Sequence, residues 1–260
     1  MTGNILRARA VTVALCFILI AVLSMALATA QEAEAGKKEK SAPRVSLFDT
    51  LKKGGTVGWV IVFLSVVAGA LAVEHAITIR RTVLMPMPVI QRIRSLLKTR
   101  DFVELRDFCE ENGSFVARVI GAAVAEPRAS YEDVEEAMLE AGSEQAAKLY
   151  RKIEYLNLIG NVSTMLGLLG TVVGMVQAFD TIARTGGFAK PAELAGSISL
   201  ALITTVEGLV VAIPSLIAYV YFRNKVEELS AEVAAVGDEI MKPIRLRALR
   251  DDSKEDEEAE

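Results

Sequence analysis

Glu207 stands near the middle of "SISLALITTVEGLVVAIPSL" (197–216), a stretch otherwise made of apolar, small and hydroxyl-bearing residues. A carboxyl at such a depth has its charged form disfavoured by loss of hydration, so it can be neutral near physiological pH and can take up and release a proton. At about 100° per residue of helix, Ser197, Ala201, Thr204, Gly208 and Ser215 fall along one narrow stripe, with Thr205 on one edge and Glu207 on the other. A small polar face of this kind must point at protein or water, because lipid offers a hydroxyl no partner. The spacing fits a proton carrier, and it also fits a permanently neutral carboxyl that bonds Thr204 or a neighbouring helix.

A second polar stripe lies in "GLLGTVVGM" (167–175). Gly170 and Gly174, with Gly167 a turn away, form a small-xxx-small surface that lets another backbone approach closely, and Gly208 offers the same in the other stretch. Thr164 and Thr171, seven residues apart, share a face. That face fits a water-lined path, and it equally fits a packing surface whose hydroxyls bond back to their own helix. Metal and cofactor chemistry find no support: His75 is the single histidine, with only Glu74 beside it, and Cys16 and Cys109 lie far apart in sequence. "ARTGGFAK" (183–190) lacks phosphate-loop spacing, and no nucleophile, base and orienting acid are grouped, so an enzyme is not expected.

The elements that must carry these residues are long apolar helices. Of the 260 residues 52% are hydrophobic and 24% charged, and the mean hydropathy is +0.37. This is the composition of a membrane protein. The net charge of −4 comes partly from the tail "DDSKEDEEAE", a solvated run rather than a nucleic-acid surface. Residues 1–30 carry a basic start, an apolar core and "ATA" before Gln31, as in a cleaved signal peptide; an uncleaved extra span fits as well. Residues 31–55 read as an extracytoplasmic leader. Transmembrane helices are expected over 56–79, with Trp59 near a headgroup region, over 156–180 and over 194–222.

A charged, helix-patterned region, 80–155, separates the first two spans, and "SEQAAKLYRKIEYL" should run without a break into the second. The turn-rich loop 181–193 makes the second and third spans an antiparallel hairpin. Residues 223–260 form a helical extension and acidic tail. With the mature N-terminus outside, 80–155 and 223–260 are cytoplasmic. The expected fold is thus an all-α integral membrane protein, three long transmembrane helices with helical cytoplasmic extensions after an N-terminal signal peptide.

Two segments, "LLGTVVGMVQAF" (168–179) and "SLALITTVEGLVVAIP" (199–214), resemble the ExbB/TolQ/MotA family of proton-channel subunits. The order of one span, a helical region and a hairpin is similar to the ExbB/TolQ branch. The resemblance covers about Thr56 to Phe222. It implies an inner-membrane homo-oligomer, a pentamer, around a single-span partner resembling ExbD or TolR that carries an intramembrane Asp, with a TonB- or TolA-like protein beyond. Proton flow would energise transport or another process at the outer membrane, as in TonB-ExbB-ExbD or Tol-Pal systems. Carried over by position, Thr171 and Thr205 would line the ion path, joined by Thr204, Thr164 and Glu207. The family's usual Glu falls here at Leu200, whereas Glu207 stands seven residues later. It is about 20° around the helix and about 10 Å along it, as a pore carboxyl moved in depth. A non-conducting scaffold for a single-span partner and a sodium- or proton-driven flagellar-type stator are the alternatives.

Overall fold

The computed structural model describes residues 55–125 and 131–259, with side chains placed as far as Lys242. The expected signal peptide and nearly all of the leader therefore lie outside the described residues. Every described element is helical: α1 (Gly55–Thr78), α2 (Arg81–Leu84), α3 (Met87–Thr99), α4 (Phe102–Glu111), α5 (Phe115–Ala123), α6 (Tyr131–Arg184) and α7 (Pro191–Ala259). The all-α fold class holds. Three of these helices, α1, α6 and α7, are long and apolar enough to cross a membrane. Contacts divide the chain into two compact units.

The first unit holds α1 to Ala76 and the stretch Glu154–Tyr221, which contains the end of α6 and the first half of α7. The loop between those two helices closes tightly for a local reason. Gly186 has φ 60° and Gly187 φ 89°, left-handed values that cost a glycine least. The Gly187 amide donates to the Ile182 carbonyl (3.0 Å) and the Gly186 amide to that of Ala183 (3.2 Å). This is a Schellman closure that satisfies the last carbonyls of α6. Pro191 then opens α7, at a position where the missing N–H has no intrahelical partner to lose. The hairpin expected between the second and third apolar stretches is present.

What holds that hairpin is the absence of side chains. A Cβ on Gly208 would lie 2.6 Å from the Ser163 carbonyl oxygen, one on Gly174 would meet the Ala201 Cβ at 2.5 Å, and one on Gly170 would meet the Thr204 Cβ at 2.6 Å. Gly167 lies against the Thr204 carbonyl and the Thr205 backbone, and Gly160 against Leu216. Small residues on both helices thus let the backbones approach, which is where packing and polar contacts between apolar helices gain their strength. On α1, Gly58, Ile61, Ala68 and His75 are buried at three- and seven-residue spacing, one face of the helix. His75 is 2% exposed, inside the unit, while Trp59 is exposed.

The second unit comprises Ile77–Ile153 and the chain from Phe222 onward. Its core is ordinary apolar packing: Ile93, Leu105, Val116, Ile120, Ile153, Val226, Leu229 and Val233 are essentially inaccessible. Along α7 the buried positions Phe222, Val226, Leu229, Val233 and Ile240 follow the alternating three- and four-residue steps of a helix packed along one seam. Arg100 takes a left-handed φ of 58° to end α3. The Asp101 carboxylate then accepts the Glu104 amide at 3.0 Å to start α4. Arg94 pairs with Glu239 at 3.0 Å, and Arg81 with Glu232, on the flank of α7.

Candidate functional site

The polar side chains singled out in the sequence all lie in the first unit, among helices whose apolar stretches carry almost no charge. Residues 56–73, 156–179 and 194–222 contain one Asp, Glu, Lys, Arg or His between them, Glu207. Four hydroxyls there bond to a carbonyl of their own helix: Thr164 to Gly160 (3.1 Å), Thr171 to Leu168 (2.6 Å), Thr204 to Ala201 (2.9 Å) and Ser215 to Val211 (2.8 Å). These are the back-bonds by which a hydroxyl in a helix satisfies itself. Thr205 differs. Its hydroxyl donates across the hairpin to the Gly167 carbonyl at 3.1 Å, the carbonyl one helical turn from Thr171.

The fold therefore gathers Thr205, Gly167 and Thr171, with Thr164 a turn below. Thr204 lies deeper, 2% exposed and wedged against Gly170. The four glycines picked out by spacing, Gly167, Gly170, Gly174 and Gly208, all lie on the surface between α6 and α7 of the same chain. Sequence spacing identified that surface but could not say whether its partner was the chain's own helix or a neighbouring copy.

Glu207 does not join the threonines. Two residues from Thr205, it lies about 160° around α7, on the edge turned to α1. A Cβ placed on Gly58 of α1 would lie 2.9 Å from Glu207 Oε2. The residue is 8% exposed, and neither carboxyl oxygen has a hydrogen-bond partner among the described residues. Ser163, fully buried against Gly208, also has an unpartnered hydroxyl. Gly58 and Ser163 are the residues of this region that the sequence did not flag. A lone glycine in "TVGWVIV" gives no signal until its neighbour across the helix pair is known. The search for metal-binding groups of His, Cys, Asp and Glu finds none among the described residues.

Comparison with known proteins bears on the same region. Residues 111–235 match the model of the MotA/TolQ/ExbB proton channel family, a span that includes the hairpin, both threonines and Glu207. The chain is similar to the biopolymer transport protein exbB1 of Vibrio cholerae, 40% identical over 72 residues, or 28% of this chain and 32% of that protein. It is similar to the Tol-Pal system protein TolQ of Pseudomonas aeruginosa, 38% identical over 114 residues, 44% of this chain and 49% of that one. An ExbB-like 1 biopolymer transport protein of Synechocystis sp. is 28% identical over 196 residues, covering 75% of this chain and 77% of the relative. The chain thus spans about a third of the Vibrio relative and about half of the Pseudomonas one.

Proposed function

From the match of residues 111–235 to the MotA/TolQ/ExbB proton channel family we propose that the chain is a member of that family and the ion-conducting subunit of an energy-transducing motor of the inner membrane. In this reading it surrounds, as a homo-oligomer, the membrane helix of a single-span partner of the ExbD or TolR kind. Proton movement along the interface is converted into motion that a TonB- or TolA-like protein carries to an envelope process. The protein acts as a channel and transducer and not as an enzyme. The observation that carries the reading is the crossing hydrogen bond from Thr205 to the Gly167 carbonyl beside Thr171. It ties the Thr205 hydroxyl to the turn of α6 that leads to Thr171, in helices that lipid would otherwise require to be apolar. Likeness to a TolQ and to an ExbB protein supports it.

The competing reading is a scaffold that holds a partner helix without conducting. One observation favours it: most of these hydroxyls are already bonded to their own backbone. Flux separates the two. In vesicles holding the complex with its partner, Thr171→Val with Thr205→Val keeps volume and deletes both hydroxyls, so assembly should survive and proton flux should fall to background. Unchanged flux in the double variant overturns the conducting role of this pair.

A further inference from the structure

We propose that Glu207 and Gly58 form a proton-binding site inside the single subunit, between α7 and α1, separate from the surface that carries Thr171 and Thr205. The inference rests on the conducting role proposed above only for its use in transport; the site itself stands on the packing of this chain. Three observations carry it. The Glu207 carboxyl is more than nine-tenths buried, and both of its oxygens lack a partner among the described residues. It also lies where Gly58 leaves room, so that even one added methyl group on α1 would come within 2.9 Å of Oε2.

An ionised carboxylate without a hydrogen bond is among the costliest groups to bury, and it is relieved by binding a cation. A proton is the cation that asks for no further ligands. The hydroxyl of Thr204 is committed to the Ala201 carbonyl, and no metal-binding group of His, Cys, Asp and Glu is found among the described residues. Among the described residues of the packed helices, nothing else near the carboxyl titrates. On α1 the packed residues Gly58, Ile61 and Ala68 are apolar. On α6, 156–179 holds no ionisable side chain, and on α7 itself Tyr219 and Tyr221 stand three turns or more away. Occupancy of this site would change only the charge held between α1 and α7. Movement of α1 away from α7 would open the carboxyl to water, and return would close it.

The test uses dicyclohexylcarbodiimide, an apolar reagent to which a neutral carboxylic acid adds its proton and oxygen to give an O-acylisourea, whose acyl group then shifts from oxygen to nitrogen to leave a stable N-acylurea of the same mass. The full-length chain in phosphatidylcholine vesicles should carry one such adduct, at Glu207, with labelling that falls as pH rises because the carboxylate does not react. Glu207→Gln should lose it. Gly58→Leu fills the space and should remove labelling, Gly58→Ala should reduce it, and Gly69→Leu should leave it unchanged, because Gly69 on the same helix faces open space.

An unlabelled Glu207 at every pH, or equal labelling in the Gly58 and Gly69 variants, overturns the site. Protection by sodium at constant pH overturns the proton as its ligand. Flux measured with the partner on the same variants separates the two readings. Gly58→Ala that labels poorly yet conducts normally defeats the site's use in transport. Normal labelling in a wild-type complex without flux defeats the motor and leaves the site standing.

Discussion

Cys109 shows at single-residue scale how the fold sets reactivity. Burial in the second unit pushes its thiol up from the ordinary 9.0 to about 11, and the side chain is 3% exposed among apolar neighbours. Because only the thiolate is a nucleophile, alkylation of Cys109 by iodoacetamide at pH 8, read in a Cys16→Ser chain, should be negligible in the folded protein and rapid once it is unfolded. Rapid modification of the native protein would contradict the burial. The raised value also has a sign for stability. Below pH 9 folded and unfolded thiols are both protonated and the packing contribution is intact. Between about 9 and 11 the unfolded chain releases its proton first, so about 2–3 kcal/mol is lost across that window. Cys109→Ala should flatten this part of the stability profile measured by denaturant titration from pH 8 to 11.

Glu207 poses the opposite question, since its position and not its chemistry departs from the family. The resemblance suggests a pore carboxyl moved from the place of Leu200, on the same side of α7. Gly58, however, cradles the carboxyl at 207, and residue 200 lies about 10 Å away along the helix. The double change Leu200→Glu with Glu207→Gln should therefore not restore carbodiimide labelling. Restored labelling would mean that the side of the helix matters and the Gly58 cradle does not.

At the scale of elements, the glycines of α6 and α7 have an assigned partner, and this alters what their replacement should do. Gly170 and Gly174 touch Thr204 and Ala201 of the same chain, so a Leu at either place pushes the hairpin apart from within. Overpacking of this kind costs about 1–3 kcal/mol where side chains can yield. More is expected here, because a Cβ at 174 would also lie 3.0 Å from the Ser197 carbonyl oxygen and backbone yields little. Gly174→Leu should lower the midpoint of thermal unfolding of the detergent-solubilised chain and expose the 185–190 turn to protease. A variant that is folded and merely smaller in size would show that the face joins separate copies instead.

The sequence made the length and continuity of the helices legible, because apolar runs and helix-period charges are local signals. Gly186, Gly187 and Pro191 likewise marked the turn. Which helix each face would meet was not legible. Periodicity gives the direction of a side chain relative to its own axis and carries no information about the neighbour. Gly58 and Ser163 acquire meaning only from Glu207 and Gly208 across the contact. The short helices α2 to α5 were likewise readable as helical in character but not as separate pieces, since their breaks rest on Pro86, the left-handed Arg100 and the Asp101 cap.

For the molecule as a whole, the unfinished business is apolar surface. In the first unit Leu168, Val172, Val176 and Phe179 of α6 and Leu202, Val206, Leu209 and Ile213 of α7 remain exposed, while the opposite faces of both helices are consumed by the hairpin and by α1. In a bilayer such a surface meets lipid or another protein helix, and lipid alone gives no reason to keep Thr164, Thr171 and Thr205 beside it. The ring of copies proposed above, closed around a partner helix, would account for both the apolar and the hydroxyl-bearing parts, with heterologous contacts repeated until the rotation closes. Single cysteines placed at Val176 and Val206 in a chain with Cys16→Ser should therefore form cross-links between copies under mild oxidation, and Cys109 will not interfere because its thiol is buried and protonated. Bismaleimide cross-linking of the Val176→Cys, Val206→Cys chain should build a ladder on denaturing gels that stops at five copies if the proposed ring is a pentamer. Cysteines at Trp59 and Phe63, exposed on α1 and not on the hairpin, should give no ladder under the same conditions. Equal ladders from both pairs would point to collisions in the membrane. A chain that stays monomeric at every site would leave the hydroxyl-lined surface facing lipid and would overturn the assembled motor.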